Sequence, residues 1–210
     1  TTSHPKDMTN DLINCYKVSK KLMPLIHLPV QSGSDKILKL MNRKHKIKDY
    51  FLIYEKLMKI NKNIKFSSDF IIGYPGENEQ DFEDTIKLIN KINFIHSYSF
   101  VYSSRPGTSA FNLKNLDKKI TEKRLKMIQE KLFKNQIKVN KSLEGKTVNV
   151  LVENQMKDKV KLFGRTEFMT PVIFSGDLKS IGKIVKVEIS TSNQNSLFGR
   201  AKLELNKMVA

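Results

Sequence analysis

The side chains with the clearest chemical potential follow short apolar runs of the sequence. Gln31 closes one such run, and Arg43 lies at the end of the amphipathic stretch that comes next. A ligand between them would meet an amide from one side and a guanidinium from the other, and a guanidinium binds a carboxylate through two charge-assisted hydrogen bonds. An arginine at a helix C-terminus would also stabilise the helix dipole. The residue types alone leave both interpretations open.

Asp69 lies inside an otherwise apolar run, residues 66–72, beside Ser67 and Ser68. A carboxylate in such a setting needs a partner, because burying it unpaired costs several kcal/mol. A ligand site at the end of the strand or a neighbouring lysine would each provide one. The sequence therefore marks Asp69 as a candidate site residue without choosing between these two partners.

Basic side chains alternate with phenylalanines in the last third of the chain. This pattern is typical of an electrostatic track with aromatic platforms for single-stranded bases, although core aromatics with a charged rim would look alike. Two of the five arginines directly follow a glycine here, which favours RNA contact. The basic candidates for RNA binding are Lys161, Arg165, Lys183, Arg200 and Lys202, and the phenylalanines between them are Phe163, Phe168, Phe174 and Phe198.

The charge balance and the cysteine count limit the possible functions. Among 210 residues, 38 Lys and Arg against 21 Asp and Glu give a net charge of +17, which favours a polyanionic partner such as nucleic acid. The single cysteine, Cys15, excludes an intrachain disulfide, and one thiolate cannot hold an iron–sulfur cluster or a cysteine-ligated zinc alone. The four histidines fall at no ligand spacing, so no metal site is predicted. Cys15 is expected to be a small buried hydrophobe.

Up to about residue 144, helical periodicity alternates with short runs rich in β-branched and aromatic residues. Such alternation predicts βα units on a parallel sheet, in which ligands collect at the carboxyl ends of the strands. The predicted helices are 10–22, 34–42, 49–60, 79–92 and 121–142, and the predicted strands are 25–30, 64–72 and 96–102.

From Gly145 onward the periodicity changes to that of short strands. The five candidates, 146–152, 160–164, 171–175, 183–190 and 197–205, predict a small all-β, OB-like barrel of antiparallel strands, a frequent nucleic-acid binder. We place the domain boundary at 144/145 and see no internal repeat. No apolar stretch approaches the roughly 20 residues that span a bilayer, and no export signal is visible, so we expect a cytoplasmic monomer.

Three longer motifs are more specific than these patterns. They are His-Leu-Pro-Val-Gln-Ser-Gly-Ser-Asp at 27–35, Ser-Ser-Asp-Phe-Ile-Ile-Gly-Tyr-Pro-Gly-Glu at 67–77, and Ser-Tyr-Ser-Phe at 97–100 with Ser-Arg-Pro-Gly-Thr at 104–108. In this order they resemble the radical-SAM methylthiotransferases. The resemblance implies that residues 1–144 are the C-terminal half of a partial (βα) radical-SAM barrel and that residues 145–210 are a TRAM domain. The cluster motif C-x-x-x-C-x-x-C of that family does not occur here. We therefore expect a fragment, inactive alone, whose missing N-terminal half holds two 4Fe-4S clusters.

The resemblance also implies roles for individual residues. Gln31 corresponds to a residue that hydrogen-bonds the ribose of S-adenosylmethionine (SAM), Arg43 to one that pairs with its methionyl carboxylate, and Asp69 to a polar strand residue near the nucleoside. The family cleaves SAM to a 5′-deoxyadenosyl radical and inserts a methylthio group, here expected at C2 of isopentenyladenosine in a tRNA anticodon stem-loop held by the TRAM domain. Because relatives share the scaffold, the resemblance leaves as an alternative substrate a threonylcarbamoyl-adenosine tRNA or a ribosomal-protein aspartate. A non-catalytic, basic RNA-binding module is the alternative from another class.

Overall fold

The computed structural model describes residues 4–157 and 160–202. The chain folds into two compact units, residues 1–135 and 136–210. The first unit ends inside the long helix Lys118–Lys141, whereas the sequence-based boundary at 144/145 lies just after that helix. Within the described ranges, no helix combines the length and the apolar character that crossing a membrane requires.

Helices and short parallel strands alternate in the first unit. The helices are α1 (Asn10–Val18), α2 (Asp35–Leu40), α3 (Ile47–Ile60), α4 (Glu79–Ile92) and α5 (Lys118–Lys141), and a 3-10 helix covers Pro5–Asp7. The strands are β1 (Leu25–His27), β2 (Lys65–Ser67), β3 (Asp69–Ile72) and β4 (Tyr98–Val101). Polar caps start the helices: the Ser34 side chain accepts from the Ile37 N–H at α2, and Asn78 and Asp81 form a capping box at α4. The α/β prediction is confirmed.

The strands of this unit pair in parallel, so their carboxyl ends lie at one edge. β1 pairs with β2 from Leu25↔Lys65 onward, and β3 pairs with β4 from Asp69↔Tyr98 onward. The predicted strand 64–72 is interrupted at Ser68, whose hydroxyl accepts a hydrogen bond from the Val30 N–H at 3.0 Å. Apolar side chains of these strands and helices form one core, with Leu28, Tyr50 and Phe70 fully buried. Cys15 is exposed, so the expectation that it is buried is wrong.

The second unit contains a closed five-stranded barrel. Its strands are β5 (Thr147–Gln155), β6 (Leu162–Thr166), β7 (Pro171–Ser175), β8 (Ile184–Ser192) and β9 (Leu197–Ala201), in the order β5-β6-β7-β9-β8, with a 3-10 helix at Leu178–Ser180. The small barrel is as predicted, but β7 and β9 are parallel rather than antiparallel. A closed barrel with an odd number of strands cannot alternate throughout, so one neighbouring pair must be parallel. The last strand was predicted to extend to residue 205, but residues 203–205 lie outside the part of the chain that the structure describes.

The barrel contains two equivalent hairpins, β5–β6 and β8–β9, so the expectation of no internal repeat is wrong. Each begins with Gly-Lys, at 145–146 and 182–183, and each ends in Leu-Phe-Gly-Arg, at 162–165 and 197–200. Each first strand carries a bulge at the same place, between Val152 and Asn154 and between Ile189 and Thr191. The backbone bonds match as well: the Gly145 N–H donates to the Ile189 carbonyl at 2.8 Å, and the Gly182 N–H donates to the Val152 carbonyl at 2.9 Å.

The glycine of each Leu-Phe-Gly-Arg segment allows a close approach to the neighbouring strand. A Cβ at Gly164 would lie 2.3 Å from the Leu151 carbonyl oxygen, and one at Gly199 would lie 2.1 Å from the Glu188 carbonyl oxygen. Both neighbours are backbone atoms, which cannot move aside as a flexible side chain would. The same backbone contact therefore accounts for both glycines and supports the equivalence of the hairpins.

Candidate functional site

A cavity of about 980 Å³ lies at the carboxyl edge of the strands in the first unit. Gln31, Arg43 and Asp69, the three residues expected to bind the cofactor, all line it. They come from the segment after β1, from the end of α2 and from β3. Further side chains in its wall include Tyr74, Phe100, Tyr102 and Arg105. The cavity thus combines two guanidiniums, an amide and a carboxylate with aromatic surface.

Gln31 occupies a conformation that residues with a Cβ rarely adopt. Its φ is +74°, and its backbone is fixed on both sides: its N–H donates to the Asp69 carbonyl at 3.0 Å, and its carbonyl accepts from the Ile71 N–H at 2.9 Å. A non-glycine residue in this region is strained, and such strain persists where surrounding contacts over-determine the backbone. These contacts hold the Gln31 side chain at the cavity wall.

The loop after Gln31 is attached to α4. The Gly33 N–H donates to Thr85 Oγ1 at 2.9 Å, and Ser34 Oγ donates to Asp81 Oδ1 at 2.7 Å. A Cβ at Gly33 would lie 2.4 Å from Thr85 Cα, so only glycine allows the loop to pack this closely. The Ser-Gly-Ser segment therefore positions the cavity wall.

Arg43 follows a Schellman motif at the end of α2. The Arg43 N–H donates to the Leu38 carbonyl at 2.8 Å, and Asn42 has a left-handed φ of +55°. The guanidinium contributes no cap to α2, because its Nη2 donates to the Pro29 carbonyl at 3.0 Å. Its Nε is buried without a hydrogen-bond partner, and no carboxylate of residues 4–157 or 160–202 forms an ion pair with it. Burial lowers the pKa of Arg43, but an arginine stays charged.

The partner of Asp69 is a histidine that the sequence analysis did not connect with it. Asp69 Oδ2 lies 3.6 Å from His27 Nε2, and both side chains are about 30% exposed. His27 Nδ1 is 2.9 Å from Ser67 Oγ, and that hydroxyl donates to the His96 carbonyl at 2.7 Å. Because Ser67 has only one proton, His27 Nδ1 must be the donor to Ser67, which leaves Nε2 facing Asp69. A protonated His27 would complete an ion pair with Asp69.

His45 lies two residues after Arg43 but is not among the residues that line the cavity. It is 7% exposed, and neither ring nitrogen has a hydrogen-bond partner among the described residues. Burial, together with the nearby Arg43 charge, lowers the pKa of His45 to about 4, so the ring is neutral at neutral pH.

In the second unit, the outer face of the barrel carries two of the four phenylalanines expected to stack on bases, Phe163 and Phe198. Phe163 and Phe198 both pair with Ile173, one from each side, so three apolar side chains form a row across β6, β7 and β9. Phe174 is different: it points inward and is 1% exposed, so it belongs to the core. The Arg165 guanidinium lies 5.2 Å from the centre of the Phe163 ring. Of the basic candidates, Lys161, Lys183, Arg200 and Lys202 are exposed and Arg165 is half-buried.

Comparison with known families defines the class. Residues 8–89 match the family model of the Radical SAM superfamily, and residues 141–202 match that of the TRAM domain. The chain therefore contains a segment of the Radical SAM superfamily followed by a TRAM domain, which confirms the resemblance seen in its motifs.

Individual relatives make the match more specific. The chain is 68% identical over all its 210 residues to the tRNA-2-methylthio-N(6)-dimethylallyladenosine synthase of Pelagibacter ubique, of which it covers 47%. It is 48% identical over 95% of its length to the protein of the same name from Ruthia magnifica, of which it covers 45%. The chain thus spans about half the length of the curated relatives it matches. Among solved structures, coproporphyrinogen III oxidase from Escherichia coli, a radical SAM enzyme, shares the fold, with a TM-score of 0.54 at 13% identity over 94% of this chain and 50% of that one.

Proposed function

We propose that this chain is the SAM-holding and tRNA-holding part of an enzyme that adds a methylthio group to C2 of isopentenyladenosine beside the anticodon. The names of its relatives support this substrate. The observation that carries the proposal is the cavity itself. It brings Gln31 and Asp69 together with Arg43, whose guanidinium has no acidic partner among the described residues. We also propose that the protein acts as a monomer in the cytoplasm.

The donor set of the cavity fits SAM. The charged Arg43 guanidinium, with its unpartnered Nε–H, suits the methionyl carboxylate, and the Gln31 amide can donate to and accept from the ribose hydroxyls. Asp69, beside His27, would accept from the nucleoside. SAM supplies the radical chemistry when it is bound to an iron–sulfur cluster. The residues of this chain would hold its carboxylate and ribose in register and exclude water from the reacting atoms.

The cluster ligands must come from elsewhere in the protein. A 4Fe-4S cluster is held by several cysteine thiolates, whereas this sequence contains one cysteine. No group of three or more possible metal-ligating side chains occurs within residues 4–157 and 160–202. We propose that two 4Fe-4S clusters are bound by the part of the protein that its relatives have in addition, and that this chain alone is inactive.

The TRAM barrel would hold the anticodon stem-loop. A net charge of +17 favours phosphate contacts, and the half-buried Phe163 and Phe198 rings offer stacking surface on the outer face of the barrel. Lys161, Lys183, Arg200 and Lys202 are the proposed phosphate contacts, whereas Arg165, the fifth basic candidate, forms an ion pair with Glu153.

A chimaera tests the function. In the Pelagibacter ubique relative, the matching half is replaced by this chain, the protein is reconstituted anaerobically with iron and sulfide, and tRNA nucleosides are analysed by mass spectrometry. We expect methylthio-isopentenyladenosine. Methylthio-threonylcarbamoyladenosine or a modified ribosomal protein instead would refute the substrate. A reconstituted chimaera that binds tRNA but modifies nothing, beside an active parent enzyme, would favour a non-catalytic RNA-binding module.

A further inference from the structure

The two hairpins of the barrel occupy equivalent positions but differ in the side chains on their outer faces. Leu151 opposes Arg165 across β5–β6 as Glu188 opposes Arg200 across β8–β9, and Phe163 and Phe198 hold the same place in the register. We call the outer faces of β5–β6 and β8–β9 the first arm and the second arm. Each arm presents one arginine and one phenylalanine, which are the elements of a nucleotide-binding half-site.

The arginine of the first arm already has an acidic partner. Both carboxylate oxygens of Glu153 lie 2.5 Å from Arg165 Nη1, and the two side chains are 31% and 36% exposed. Glu153 is the bulge residue of β5. The guanidinium also lies over the Phe163 ring, so one face of the ring is partly covered. A phosphate that binds Arg165 would compete with Glu153 for the charge of the guanidinium.

The second arm has no such ion pair. The bulge residue of β8 is Ser190, whose hydroxyl donates to the Phe198 carbonyl at 3.1 Å. Arg200 is exposed and has no ion-pair partner in the part of the chain that the structure describes. Glu188 faces it across the two strands, but their charged atoms are not within ion-pair distance. Arg200 is therefore available to a phosphate without the loss of an existing contact.

The surrounding charges differ in the same direction. Where the first arm has Asn149, Leu151, Glu153, Arg165 and Glu167, the second arm has Lys186, Glu188, Ser190, Arg200 and Lys202 at the equivalent places. At these places the first arm has one positive and two negative groups and the second arm has three positive groups and one negative group; with Lys161 and its counterpart Ser196 included, the charges are 0 and +2. The Lys202 N–H donates to the Lys186 carbonyl at 2.8 Å, which places the two lysine positions side by side.

We propose that the barrel is a duplicated but unequal RNA-binding surface, in which the second arm binds the phosphodiester backbone through Arg200 and the Glu153–Arg165 ion pair weakens phosphate binding by the first arm. The inference rests on the proposed RNA-binding role of the barrel. It assigns to Glu153 a function that limits RNA affinity. Exchanging Glu153 for the serine of the other hairpin should open the first arm.

The test measures binding of a fluorescently labelled tRNA anticodon stem-loop to the 210-residue chain by anisotropy, over a series of KCl concentrations. Arg200→Ala should weaken binding at least about threefold and reduce the salt dependence, whereas Arg165→Ala should change it by less than about twofold. Glu153→Ser should strengthen binding about two- to fivefold, the range expected for releasing an ion pair of this exposure. Adding Arg165→Ala to Glu153→Ser should abolish the gain.

Glu167→Gln is the matched control, because it removes one negative charge from the same arm without releasing an ion pair. Equal gains from Glu153→Ser and Glu167→Gln would reduce the effect to net charge and overturn the proposal, as would equal losses from Arg165→Ala and Arg200→Ala. If the unmodified chain binds RNA tightly and in a salt-dependent way but Glu153→Ser has no effect, the inequality of the arms is refuted and the RNA-binding role of the barrel is not. Absence of RNA binding by the unmodified chain would refute the RNA role of the barrel and the inference together.

Discussion

Replacement of Arg124 by methionine removes the charge that neutralises a buried carboxylate. Arg124, 7% exposed on α5, donates from Nη1 to Glu77 Oε1 at 2.8 Å and from Nη2 to Glu79 Oε2 at 2.7 Å. Glu77 is 2% exposed and also accepts from the Gly73 N–H at 3.2 Å, in the turn that follows β3. Breaking a buried pair from one side costs about 3–5 kcal/mol, because the remaining charge stays buried. We expect Arg124→Met to lose this much free energy of unfolding at pH 7.

The pH dependence of this loss follows from Glu77. Burial raises the pKa of Glu77, while the hydrogen bonds from Arg124 and Gly73 and the Arg124 charge lower it in part. Without Arg124 the pKa of Glu77 must rise further above its value in the unfolded chain. The folded state then binds a proton more tightly than the unfolded state, so the variant gains stability as the pH falls and loses it as the pH rises through the folded-state pKa. The difference from the unmodified chain should therefore shrink toward acid pH.

Tyrosine fluorescence gives a clean assay for this prediction. The chain has no tryptophan, and its six tyrosines lie between Tyr16 and Tyr102, so urea unfolding followed by this signal reports the first unit only. Lys123→Met, which removes an exposed neighbouring charge, is the control and should change stability by less than about 0.5 kcal/mol. Adding Glu77→Gln to Arg124→Met should restore part of the loss. A loss below about 1 kcal/mol at pH 7, or one independent of pH, would refute the reasoning.

Two substitutions test the loop that forms the cavity wall. Gln31→Gly removes a left-handed strain of about 1–2 kcal/mol but adds the conformational freedom of glycine. The free energy of unfolding should therefore stay within about 1 kcal/mol of the original, while SAM binding by the chimaera weakens. A large loss of stability would contradict the strain. Gly33→Ala places a Cβ 2.4 Å from Thr85 Cα and 2.5 Å from the Asp84 carbonyl oxygen, and it should lower the free energy of unfolding by about 1–3 kcal/mol. An unchanged urea midpoint would mean that the loop does not pack on α4 as described.

The elements were predictable from the sequence because their signals are local. Helix α4 lies at the predicted residues 79–92, since Asn78 and Asp81 mark its start and apolar residues follow at helical spacing. The strand β7 also lies where predicted, at 171–175. Residue type and position singled out Gln31, Arg43 and Asp69, the resemblance gave each a role, and the structure places all three at one cavity.

The contacts between distant residues were not predictable in this way. His27 and Asp69 meet because β1 lies beside β2, and β3 directly follows β2 along the chain. The sequence indicated a ligand or a lysine as the partner of Asp69 and did not indicate the histidine. The repeat in the barrel was overlooked because the second hairpin loop is shorter: Thr147 corresponds to Ile184, but Leu162 corresponds to Leu197. Strand pairing aligns the two hairpins along their whole length and reveals Glu153 beside Arg165.

The most direct test of the central claim is the SAM dissociation constant of the anaerobically reconstituted chimaera with and without Arg43. If the guanidinium binds the methionyl carboxylate, Arg43→Ala should weaken SAM binding about 10- to 150-fold, equivalent to about 1.5–3 kcal/mol, while Lys44→Ala, an exposed charge next in sequence, should leave it within about twofold. Equal SAM affinity for the Arg43→Ala and unmodified chimaeras would contradict the assignment of this cavity to SAM.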